Sequence, residues 1–127
     1  MLIIRKEQEK EFAKIALRRF EESMVSHVKE NWPEEYKKLG AEAVRESILK
    51  GVTNAAKYGI EREYDIARYL NVMYALGHDF DTDGARFPWA AEILMDSELN
   101  GREKTDKLCK RAEQEPSTLS KQESTGG

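Results

Sequence analysis

The stretch AVRESILKGVTNAAKYGIEREYDIARYLNVMYALGHDFD, residues 43–81, decides the fold. Val44, Ile48, Val52, Ala55 and Ala56 fall on one side of a helix running from about Glu42 to Tyr58. Recurrence every three to four residues is the mark of a buried helical face. Gly51 lies inside that helix, where glycine costs up to ~1 kcal/mol against alanine, so it marks close packing with a neighbour. Gly59 followed by Ile60 reads as a left-handed cap with its apolar contact. A further helix spans about Glu61 to Gly77, with Ile66, Leu70, Met73 and Gly77 in one row and Tyr69, Tyr74 and Leu76 beside it.

The same helical period extends outward in both directions. From Glu7 to about Asn31, Phe12, Ala16, Phe20, Met24 and Val28 recur every four residues, with Ile15 and Leu17 widening the stripe. Trp32-Pro33 ends this helix, because the residue before proline is pushed out of the helical region. Pro33, Glu34 and Glu35 suit the first turn of a short helix that Gly40 closes. Beyond the loop from His78 to Phe87, Pro88 starts a fifth helix, PWAAEILMD. Asn100-Gly101 is a break. A last helix, about Arg102 to Glu113, has only Thr105, Leu108, Cys109 and Ala112 to bury and reads as marginal. The apolar start Met1 to Ile4 is a frayed turn or an extended arm. From Glu115 onward, EPSTLSKQESTGG has the composition of a disordered tail. The expected architecture is all-α: a compact bundle of five to six helices over residues 1–114, with a disordered C-terminal tail over 115–127.

Composition narrows the function classes. The chain has 127 residues, one domain's worth, with 24 acids against 21 bases and a net charge of -3. No overall basic excess points to nucleic acid. The bases of the first helix, Arg5, Lys6, Lys10, Lys14, Arg18 and Arg19, are interleaved with glutamates that cancel their field. No apolar run approaches the ~20 residues of a membrane span, and the start MLIIRKEQEKEF lacks a secretory signal pattern. The expectation is a cytoplasmic protein with no nucleic-acid and no membrane partner. A single cysteine, Cys109, excludes an intrachain disulfide framework. Its neighbours Lys107, Lys110 and Arg111 would lower its pKa somewhat. No nucleophile elbow and no glycine-rich phosphate loop is present.

Charge is unevenly placed. Residues 79–98 carry six acids against Arg86 alone, a net -5 that leaves the rest of the chain at +2. Aromatic residues concentrate in the same region. Within it, Asp79-Phe80-Asp81-Thr82-Asp83-Gly84 fits the opening of an EF-hand loop, in which alternating carboxylates converge on a hard cation. The completion fails, because Ala90 stands where the loop needs a bidentate glutamate and Glu92 comes two residues late. The plainer reading is an acidic turn in which Asp79, Asp81 or Asp83 caps backbone N–H groups while Phe80 and Phe87 anchor the loop. Asp79, Asp81 and Asp83 are accordingly the metal candidates, for a weak divalent cation, and no other cofactor is expected. His78 could join them, whereas His27 beside Val28 reads as a satisfied, partly buried histidine.

The density of aromatic and acidic residues around 74–92 suits a protein-recognition surface, since interface cores favour Tyr and Trp. Tyr69, Tyr74, Phe80, Asp81, Asp83 and Trp89 are the expected partner-binding residues. The competing reading for the aromatics is ordinary helix packing.

MLIIRKEQ, ALRRFEESMVSHV, the 43–81 stretch and PWAAEIL together resemble a small family of uncharacterised bacterial helical proteins. The likeness covers about residues 1–96. Members of that family are encoded near type VI secretion effectors and other phage-tail-like delivery genes. The resemblance implies a non-enzymatic, adaptor- or chaperone-like accessory protein whose partner is a protein, with secreted effectors and toxins among the classes. Alternatives are a cation-binding module through Asp79, Asp81 and Asp83, an immunity protein neutralising a basic toxin, and a small toxin or enzyme pairing Asp79 or Asp81 with Glu92.

Overall fold

The computed structural model describes residues 6–115, with side chains from residue 16 onward. Five helices in chain order make up the described residues, which contain no strand: α1 Lys6–Asn31, α2 Pro33–Lys57, α3 Glu63–Leu76, α4 Pro88–Leu94 and α5 Gly101–Glu113. The fold is all-α, as the periodicity requires. The apolar start Met1 to Ile4 and the tail beyond Glu115 lie outside the described residues.

The short helix expected to stop at Gly40 is present, but the chain continues through it. Gly40 takes φ 84 and ψ 161, a kink inside α2 with helix on either side. Glycine enters that region without the steric penalty other residues meet. Two compact units divide between Ile48 and Leu49. In the first, Met24, Val28, Val44 and Ile48 are buried. Arg45 Nε reaches Glu21 Oε1 at 2.6 Å, and the Lys29 ammonium lies 5.7 Å from the centre of the Tyr36 ring. His27 is half-buried, with the Asn31 amide 3.2 Å from its Nδ1. Leu17, expected in the buried stripe, is 40% exposed.

The second unit is organised where α2 ends. Gly59 has φ 79; its N–H donates to Ala56 O at 3.0 Å and the Ile60 N–H donates to Ala55 O at 2.9 Å. These two bonds form a Schellman motif, and Ile60 completes it as a fully buried apolar residue beyond the cap. Gly51 meets the side chains of Leu70 and Met73 on α3, so the close packing expected there is present. α3 in turn packs on α5, as does α4.

α5 is better anchored than its few apolar residues suggested. Asn100 and Glu103 form a reciprocal capping box: the Glu103 N–H donates to Asn100 Oδ1 at 2.9 Å, and the Asn100 N–H to Glu103 Oε1 at 3.1 Å. Gly101 abuts the Gly59 carbonyl oxygen and the Ile60 Cα, leaving no room for a side chain. Lys104 is 9% exposed, and its Nζ donates to Tyr58 O at 2.8 Å. Its methylenes add apolar cover that a count of hydrophobic letters omits. Thr105 and Leu108 are fully buried.

One charged link joins α3 to α5. Arg68 bonds the buried Asp65 on its own helix at 3.0 Å and Asp106 on α5 at 2.6 Å. Burial alone would lower the pKa of Arg68, but its bonds to Asp106 and Asp65 outweigh that and raise it. The Arg68 guanidinium also covers the ring of Tyr64 at 4.9 Å.

The two tight glycines differ in what obstructs a side chain. At Gly51 the obstacle is the end of a side chain, and alanine regains up to ~1 kcal/mol of helix propensity. At Gly101 the obstacle is backbone. Gly101→Ala is therefore expected to cost about 1–3 kcal/mol and Gly51→Ala less, read from urea denaturation midpoints. The reverse order would contradict the packing described.

Candidate functional site

The acidic loop begins where Gly77, at φ 129, ends α3. It is a chain of turns: Phe80 N–H donates to Gly77 O at 3.2 Å, Thr82 N–H to Asp79 O at 3.0 Å, and Phe87 N–H to Asp83 O at 2.8 Å. Asp83 Oδ1 accepts the Arg86 N–H at 3.1 Å, the capping role expected for one of the three aspartates.

Phe80 and Asp81 both turn inward. Phe80 is fully buried and meets Tyr69 with ring centres 5.3 Å apart; Tyr69 meets Tyr58 at 6.4 Å. Asp81, 9% exposed, accepts the Tyr58 hydroxyl at 2.7 Å. Burial, then the hydrogen bond and the charge of Asp81, push the Tyr58 phenol up to about 12. Burial likewise raises Tyr69. A neutral phenol donating to a carboxylate is the stable pairing here, because ionising it would place two negative charges together in a poorly solvated site.

This arrangement corrects the sequence reading of the partner-binding residues. Tyr69, Tyr74, Phe80 and Trp89 are 1%, 4%, 0% and 8% exposed. They are packing residues, so the competing reading of the aromatics holds for them. Asp81 is committed to Tyr58. Only Asp83, half-exposed, keeps a surface position among the six. The surface carboxylates of the region are instead Asp79, Glu92 and Glu98, exposed, with Asp83 and Asp96 half-exposed. Met95, beside them in sequence on the C-cap of α4, is 73% exposed.

The three loop aspartates take different environments: Asp79 is exposed, Asp81 faces Tyr58 and Asp83 faces a backbone N–H. Among the described residues, no group of three or more His, Cys, Asp or Glu side chains is placed to hold a metal ion. His78 is exposed and stacks edge-on with Tyr74 at 5.1 Å. Cys109 also departs from expectation. Burial raises its pKa, an effect larger than the lowering by Arg68, so the thiol is the favoured form.

Two features escaped the sequence reading. A cleft of about 360 Å³ opens where the end of α2 meets the first turns of α3 and α5, lined by Gly59, Glu61, Arg62, Asp65, Asn100, Gly101 and Arg102. Its charges are mixed: Arg62, Arg102 and two helix N-termini favour an anion, whereas Glu61 and Asp65 oppose one. Asp79, Asp81 and Glu92, the pairs considered for acid–base work, do not line it. The Asn100–Glu103 spacing was the signal for its α5 wall. The second feature is the setting of Trp89. Its Nε1–H donates to Glu115 Oε1 at 2.8 Å, and the Arg111 guanidinium lies 5.1 Å from its ring centre. Glu115, read as the first residue of the tail, is thus held against the body. No helix among the described residues is long and apolar enough to cross a membrane.

Tyr58→Phe is expected to cost about 1–3 kcal/mol at neutral pH, because it leaves the Asp81 carboxylate buried without its donor. The folded phenol holds its proton more tightly than the unfolded one, about 12 against 10.0. Its contribution is complete below pH 10 and is lost as the pH rises toward 12. Over that window the wild-type chain should lose stability more steeply than Tyr58→Phe in urea denaturation. Parallel curves would contradict the pairing.

Comparison of the chain with protein-family models, curated proteins and solved structures finds no match.

Proposed function

We propose that the chain is a non-enzymatic protein-binding accessory, adaptor- or chaperone-like, that acts in the cytoplasm. Its partner on this reading is a basic protein surface, with a secreted effector or toxin of a type VI or related delivery system as the class the sequence resemblance favours. One observation carries the reading. Residues 78–98 place five of their six carboxylates at or near the surface, in the same segment as the exposed Met95. The aromatic residues of the region are scaffold that holds this segment in place. Binding of a basic partner through such a face would be steered by charge and weakened by salt. An immunity protein that covers a basic toxin is one form of the same reading.

The test uses surface residues, because Trp89→Ala or Asp81→Ala would disturb packing. A Glu92→Lys/Met95→Asp/Glu98→Lys variant with unchanged circular dichroism should bind the partner recovered with the wild-type chain at least about tenfold more weakly. The wild-type complex should also weaken as salt is raised. Equal affinity of the variant and salt-independent binding would refute the acidic face as the interface.

A further inference from the structure

Trp89 is a buried indole whose N–H can only donate, so it requires an acceptor. The acceptor is a carboxylate that comes from 26 residues further along the chain, just past the last turn of α5. An acid near a helix C-terminus is disfavoured by the helix dipole. Glu115 therefore owes its position to what receives it: the indole N–H at 2.8 Å, and the Arg111 guanidinium, with one nitrogen 3.9 Å from the same oxygen. Phe87 closes another side of the indole, edge-on at 5.9 Å. Lys107, Lys110 and Arg111 are exposed along the end of α5 and make this end of the unit basic, in contrast to the 79–98 segment.

We propose that Trp89 and Arg111 form a carboxylate-binding cradle that the chain fills with its own Glu115, and that an acidic group of a partner protein takes the place of Glu115. The site is distinct from the acidic face and independent of it. A tethered occupant competes at an effective concentration in the millimolar range. An external carboxylate consequently enters when it is presented at comparable local concentration, as on a partner already docked. Displacement releases Glu115 and exchanges one charge-assisted hydrogen bond for another of the same kind.

The experiment reads the indole directly in a Trp32→Phe background, where Trp89 is the only tryptophan. Glu115→Ala should shift the emission to the red and raise acrylamide quenching several-fold. Propionate, which mimics the glutamate side chain, should reverse both changes when ionic strength is held constant with chloride. The Trp32→Phe parent should not respond to the same propionate concentrations, and neither should Arg111→Ala/Glu115→Ala. Unchanged far-ultraviolet circular dichroism establishes folding; if Glu115→Ala loses helix, Glu115→Gln replaces it with the same readings. Emission and quenching in the Glu115 variant equal to those of the parent would overturn the proposal. So would a propionate response that is absent, or that is equally strong without Arg111.

Discussion

The three residues Tyr58, Gly59 and Ile60 form the corner on which the second unit depends. Each atom group there has a separate load. The Tyr58 carbonyl receives Lys104, which anchors α5. The Tyr58 hydroxyl donates to Asp81, which fixes the acidic loop. Gly59 turns the chain at φ 79 and lets Gly101 approach its carbonyl. Ile60 seals the turn inside the core. A hydrogen bond from a charged donor to a buried acceptor contributes about 1.5–3 kcal/mol, more than most single surface contacts. Two such polar links leaving one residue in different directions tie α5 and the loop to the same point.

That constraint changes what the acidic loop is for. Its carboxylates do not converge as a cation would require; one is spent inward on a phenol and one on a backbone N–H. Phe80 and the tyrosines are the stiffening behind it. The surface left over is acidic along 79–98 and basic at the end of α5. This is the same division that the net charge of -3 conceals. Recognition by two oppositely charged faces suits a protein partner better than a polyanion or a lipid surface, either of which would meet repulsion on one of them.

Much of the fold was legible in the sequence because local rules govern it. Helical periods located all five helices, the Gly40 and Gly59 stops, and the tight fit at Gly51. The site was legible only in part. Periodicity tells which side of a helix is apolar, but not which distant element covers it. Trp89 is covered by Arg111 and Glu115, and Asp81 is claimed by Tyr58, 23 positions earlier. These pairings come from tertiary placement, so clustered aromatics looked like an exposed surface when they are a core. α5 was underrated for a different reason: its stability comes from a capping box and a buried lysine stem. Counting apolar residues detects neither.

Native-state hydrogen exchange of Lys104→Met tests the corner most directly. The substitution keeps the apolar stem and removes the ammonium that holds the Tyr58 carbonyl. If the corner couples α5 to the loop, protection should fall together in the first turn of α5 and at the Phe80, Thr82 and Phe87 amides, under conditions where global unfolding does not dominate exchange. Faster exchange confined to α5, with the loop amides unchanged, would contradict that account.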